Sequence, residues 1–147
     1  MDLFGTNKVD GYTIIVGCGR LGAVLANKLS DGGENVLIID KYKDSFRKLS
    51  ISFGGITLSG DATEISVLQE ADIEKASAVV AVTDNDNTNI LIAQMAKEIF
   101  NIKYVVARLY DFERECVYKE FDIDTICPAT LSANEIERLL SISKGVV

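Results

Sequence analysis

The sequence has no histidine, no tryptophan and one proline, and only three of its 147 residues are cysteine. Without histidine the commonest general acid–base group is missing, and every Ser-His or Cys-His nucleophile pair is excluded with it. A mixed zinc site cannot be completed either, and Cys18, Cys116 and Cys127 have no metal-ligand spacing among themselves. They read as reduced thiols. No low-complexity tract points to disorder. No apolar stretch approaches the ~18 residues needed to cross a bilayer. The first ten residues also lack the basic and apolar regions of a signal peptide, so the expected location is the cytoplasm.

Basic residues are outnumbered: 15 Lys and Arg stand against 22 Asp and Glu, a net charge of −7. Nucleic acids are gripped through their phosphates by clustered cations, so this balance argues against a nucleic-acid partner. What is plentiful is apolar: 48% of the residues are hydrophobic, and the length suits one well-packed domain of the usual ~100–200 residues.

Six short β-branched runs recur: Tyr12-Thr-Ile-Ile-Val16, Asn35-Val-Leu-Ile-Ile39, Gly55-Ile-Thr-Leu58, Ala78-Val-Val-Ala-Val82, Tyr104-Val-Val-Ala107 and Asp124-Thr-Ile-Cys127. Most are continuously apolar, as expected of strands covered on both faces. Helix-patterned segments follow them over 20–30, 41–50, 63–70, 85–100, 112–119 and 132–143. The first of these places Leu21, Val24, Leu25 and Leu29 on one stripe and is stopped by Asp31-Gly-Gly33. This βα rhythm predicts an α/β Rossmann fold: a doubly wound, six-stranded, mainly parallel sheet with helices on both faces, in three layers. The expected organisation is an N-terminal tail over 1–11 and one domain over 12–147, with no residues left for a second.

Directly after the first strand stands Gly17-Cys-Gly19-Arg-Leu-Gly22, a G-x-G-x-x-G pattern. It has the context that gives it meaning: a strand before, a helix after, and an acidic residue, Asp40, ending the second strand. Gly17 permits the turn, Gly19 lets the backbone approach a pyrophosphate, and Gly22 lets the helix pack close to the sheet. Free amides at the helix start then hold phosphate, aided by the helix dipole. Asp40 can accept from ribose hydroxyls and would repel a 2′-phosphate, which favours NAD or a plain adenine nucleotide over NADP. Lys41 beside it softens that preference. Arg20 is either an exposed helix-start cation or a group set over the ligand phosphates. Cys18 reads better as a small packing residue than as a redox sensor.

Three further segments narrow the choice among Rossmann proteins: Gly60-Asp61-Ala62-Thr63, Thr83-Asp-Asn-Asp-Asn87 and Ala107-Arg108. With the glycine loop and Asp40, in this order and spacing, they resemble the regulator-of-potassium-conductance (RCK) N-terminal domain, also called the TrkA-N or KTN domain, over about 12–143. The resemblance implies a cytoplasmic subunit that binds NAD(H), ATP, ADP or AMP and regulates a membrane potassium channel or transporter. It places Gly17, Cys18, Gly19, Arg20 and Leu21 along the phosphates, Asp40 at the adenosine ribose and Asp61 with Ala62 near the adenine. Thr83, Asp84 and Arg108 would line the far side. It also implies pairing into homo-oligomers or rings, or assembly with a related chain. Many members carry a second, C-terminal domain for which no residues remain here.

Alternatives stand beside these readings. Asp61 could cap the following helix, and Asp84 or Asn85 the fourth. Asp84-Asn-Asp86 looks like a fragment of a calcium loop, without its remaining ligands. The stripe Leu131, Ile136, Leu139, Leu140 and Ile142 suits either an internal core or pairing. The competing functions are a small NAD-dependent oxidoreductase, which lacks a proton-transfer histidine, and a structural assembly subunit with an empty crevice.

Overall fold

The computed structural model describes residues 11–145, so the expected N-terminal tail falls, except for Gly11, outside the described residues. Six strands form one sheet: β1 Tyr12–Val16, β2 Val36–Asp40, β3 Ile56–Ser59, β4 Ala76–Ala81, β5 Tyr104–Arg108 and β6 Asp124–Ile126. Their order is β3-β2-β1-β4-β5-β6, and every neighbouring pair is parallel. The expected doubly wound Rossmann fold is what the chain adopts. After β3 the chain crosses back over β1 to begin β4, so β1 and β4, neighbours from the two halves, flank the switch in strand order where open α/β sheets open a crevice.

Five α-helices accompany the strands: α1 Arg20–Asp31, α2 Ile65–Glu70, α3 Asp86–Glu98, α4 Glu115–Lys119 and α5 Pro128–Ser143. The segment expected to be helical over 41–50 is instead a 3-10 helix, Lys43–Lys48. A long amphipathic helix is not needed there, because Phe46, Leu49 and Phe53 already cover this part of the sheet. The last helix begins at Pro128, earlier than the expected 132, with proline in its first turn, where its missing N–H leaves no hydrogen bond unmade.

Alternation of side chains across the sheet produces two apolar layers. On one face Ile15, Val36 and Ile38 meet Ala23 and Ala26 of α1. On the other Ile14, Val16, Leu37, Ile39, Val79, Ala81, Val105 and Ala107 meet Leu68 of α2, Ile92, Ala93 and Ala96 of α3, and Tyr118 of α4. Of the stripe expected on α1, Leu21, Leu25 and Leu29 are half-buried against the face of Ile15, Val36 and Ile38, and Val24 is the residue that falls outside it. The buried residues of α1 are Gly22, Ala23 and Ala26, whereas Val24 is 52% exposed, because small residues are what permit close approach of helix to sheet.

Cover is uneven along the sheet. All five residues of β1 are buried, but β5 alternates: Val105 and Ala107 are buried while Tyr104 is 55% exposed. The edge strand β3 alternates too. The expectation of continuously covered strands therefore holds on β1 and β2 and fails on β3, β4 and β5, where burial alternates. On α5, none of the 16 residues is buried.

Candidate functional site

Gly17 leaves β1 with φ +106°, a left-handed conformation natural only to glycine. A Cβ there would also lie 2.9 Å from the Thr83 amide nitrogen. Gly22 is required by packing: its Cβ would fall 1.8 Å from the Gly17 carbonyl oxygen. Gly19 differs from both. Its backbone is extended, φ −83° and ψ −161°, which any residue adopts, and an added Cβ would meet nothing within 4 Å. Neither conformation nor packing among the described residues asks for glycine at 19; the space it leaves opens onto the crevice.

That crevice, about 860 Å³, lies at the carboxyl ends of the strands. The loop residues Gly17, Cys18, Gly19 and Arg20 line it, as do Asp40, Lys41, Asp61, Ala62, Thr83, Asp84 and Arg108. Leu21, placed along the phosphates by the resemblance, and Gly22 do not: Leu21 packs toward the α1 layer, and Gly22 is buried beneath the loop, in the close-packing role expected of it. Helical geometry turns them inward, since residues one and two positions after Arg20 point around the helix from it. Lys48, Ser45, Tyr42, Tyr110 and Thr88 also line the crevice and were missed. Tyr42 and Tyr110 lie on connecting segments, Ser45 and Lys48 in the 3-10 helix and Thr88 in the first turn of α3, and none of them sits in a pattern that would mark it.

No side chain caps α1 at Gly19, and the Ala23 amide donates to the Gly19 carbonyl at 3.0 Å as the helix begins. The first turn itself holds no acidic residue, so the positive end of the helix dipole faces the crevice. Asp40 braces the loop: its Oδ2 accepts from the Cys18 amide and its Oδ1 from the Tyr42 amide, both at 2.8 Å. Each oxygen keeps a second lone pair for an incoming hydroxyl. Lys48 donates to the Cys18 carbonyl at 3.4 Å, adding a cation beside Arg20 near the loop.

The Cys18 side chain is completely buried, and its thiol donates to the Ser45 carbonyl at 3.3 Å. Burial, then the Asp40 charge, push its pKa up, so the reactive thiolate is disfavoured. Packing is its role here.

Asp61 Oδ1 accepts from the Thr63 hydroxyl at 2.6 Å and the Thr63 amide at 3.0 Å, and Lys41 lies 3.7 Å from Oδ2. The Thr63 hydrogen bonds, chiefly the hydroxyl's, hold the Asp61 carboxyl below its ordinary pKa. It closes a turn and does not cap α2, whose N-cap is Glu64. At α3 the cap is Asn85, whose Oδ1 accepts from the Thr88 amide at 3.0 Å. Asp86, singled out as a fragment of a calcium loop, turns both oxygens to the backbone: they accept from the amides of Tyr110 and Asp111 at 2.8 and 3.0 Å. The turn that follows β5 is thereby tied to the start of α3.

The TrkA-N domain family matches residues 13–128. A Trk system potassium uptake protein TrkA of Streptomyces coelicolor is 40% identical over 129 residues, covering 88% of this chain and 58% of the relative. The chain spans about three-fifths of the length of the curated relatives it matches first. Among solved structures, the GsuK channel bound to NAD superposes with a TM-score of 0.78 at 25% identity, over 97% of this chain and 25% of that one. The Kef CTD of Shewanella denitrificans in its AMP-bound form gives 0.73 at 25% identity, over 89% and 81%. With the family match running from β1 to the start of α5 and the glycine loop seated at the switch in strand order, this chain belongs to the TrkA-N domain family.

Proposed function

We propose that this chain is the nucleotide-binding module of a potassium uptake system. On this reading it binds NAD(H) or an adenine nucleotide in the crevice after β1 and passes the occupancy to a membrane channel or transporter subunit. The observation that carries the reading is Gly19, a position where glycine serves no purpose of the folded chain and leaves room for a phosphate against uncapped amides. The NAD-bound GsuK channel and the AMP-bound Kef CTD support the ligand class, and the TrkA relative supports the physiological setting. The ribose falls to Asp40, the phosphates to the loop and Arg20, the adenine to the Asp61-Ala62 side, and the remainder to Thr83, Asp84 and Arg108.

Binding, not chemistry, is the function assigned. No helix among the described residues is long and apolar enough to cross a membrane; on this reading the link to the membrane is a channel or transporter subunit, as the TrkA relative supports. The exposed apolar residues of α5, Leu131, Ile136, Leu139, Leu140 and Ile142, are the surface through which copies of this chain, or a related one, would assemble. A ligand gates such an assembly only by preferring one of its conformations. Calorimetry with ATP, ADP, AMP, NAD and NADH tests the assignment; absence of binding by all five would remove it.

A further inference from the structure

Resting on the reading of the crevice as a nucleotide site, we propose that Asn89 is the positioning residue of its far half. Acting through Arg108, it makes this chain prefer nucleotides that extend beyond their first phosphate over nucleoside monophosphates. Asn89 lies on α3 and is completely buried. Its Oδ1 accepts from the Thr83 amide at 2.9 Å and the Thr83 hydroxyl at 2.6 Å. Its Nδ2 donates to the Thr83 and Arg108 carbonyls, each at 3.0 Å. Two donors and two lone pairs are the whole capacity of a side-chain amide, and all four are directed at the crevice ends of two adjacent strands.

The strand order sets what reaches that wall. A nucleotide with its ribose at Asp40, after β2, and its first phosphate at the loop after β1 extends toward β4 and β5 only through groups beyond that phosphate. There Arg108 lines the crevice. Its guanidinium carbon lies 4.4 Å from the Tyr110 ring centroid, and its Nε is buried without a hydrogen-bond partner among the described residues. A buried, unpaired guanidinium N–H is costly, and a phosphate oxygen is the acceptor that suits it. Asp86 holds the turn carrying Tyr110 through the Tyr110 amide, so both the backbone of Arg108 and the ring beside it are set from the first turns of α3.

Calorimetry of the full chain with AMP, ADP and NAD tests this, using the unaltered protein, Arg108→Met, Asn89→Asp and Asn89→Ser, each monitored by thermal melting. Asn89→Asp keeps the acceptor facing Thr83 and loses both donations to carbonyls; Asn89→Ser is small enough to fold if a buried charge prevents it. The unaltered protein should bind ADP and NAD about tenfold or more tighter than AMP. Arg108→Met should bring ADP and NAD to the AMP affinity while moving AMP by less than about twofold, and a folded Asn89 variant should do the same, the size of effect a hydrogen bond to a charged group supports. An ADP-to-AMP ratio untouched by Arg108→Met, or all three ligands weakened alike in the Asn89 variants, overturns the proposal. AMP binding without preference for ADP sinks this inference alone, whereas binding of none of the three sinks the nucleotide reading beneath it.

Discussion

The two halves of the sheet are finished differently. Around β1 and β2 both faces are closed, by α1 and the 3-10 helix on one side and by α2 and α3 on the other. Toward β5 and β6 the second layer thins: Tyr104 is exposed, and α5 follows with no buried residue. The closed half carries the glycine loop and Asp40, whose geometry must be rigid to aim amides at a phosphate. The open half carries Arg108, Tyr110 and an apolar helix that no other described residue buries, the surface proposed above for assembly. The contrast is between a braced loop and an uncovered apolar face, the arrangement the proposed ligand grip and the proposed assembly surface each require.

Substitutions can break or sharpen this contrast. The largest effect is expected in the closed half at Gly22→Ala, where the added Cβ would lie 1.8 Å from the Gly17 carbonyl. Loss of about 3 kcal/mol or more by urea unfolding is expected, and a loss below about 1 kcal/mol would show that the loop is softer than it looks. Gly19→Val separates folding from binding. It should cost no more than about 1 kcal/mol of stability, as an N-cap change, yet remove detectable nucleotide binding. Unchanged affinity would refute the placement of phosphate at the loop.

Asp40→Ala is expected to weaken binding by about 1.5–3 kcal/mol if the carboxylate holds ribose hydroxyls; an effect within error removes it from the site. In the open half, Leu139→Glu combined with Leu140→Glu should alter the stability of the isolated chain by less than about 0.5 kcal/mol, because both side chains are half exposed. The same pair should shift the size-exclusion profile toward monomer. Destabilisation with no change in assembly would place α5 in the core after all.

The smallest effect concerns Asp61. Its folded pKa lies below the ordinary 3.8, so its contribution to stability is complete above that value and disappears as pH falls through the lowered one. The stability difference between the protein and Asp61→Asn should therefore persist from neutral pH to about pH 4 and close only in stronger acid. Closure already at pH 5 to 6 would mean that the Thr63 hydrogen bonds do not hold in solution.

The sequence by itself determined the strand-helix alternation, the parallel sheet, the glycine loop and the acidic end of β2, because each rests on local periodicity or on a residue type with few alternatives. It placed Gly17 and Asp40 at the crevice, where they lie; the turn expected of Gly17 is there, while the bracing of the loop amide by Asp40 was not foreseen. It set Leu21 along the ligand, whereas the side chain turns into the α1 layer, since adjacency to a motif does not fix which way a helix turns its side chains. The 3-10 segment over Lys43–Lys48 and the exposure of α5 were decided only in three dimensions: an apolar stripe states that a face seeks cover, not what covers it. Asn89 is the clearest case. Nothing in its neighbourhood along the chain distinguishes it from Asn85 or Asn87, and its importance comes from carbonyls on two strands that the crossover of the sheet, not the order of residues, brings within 3.0 Å of one amide.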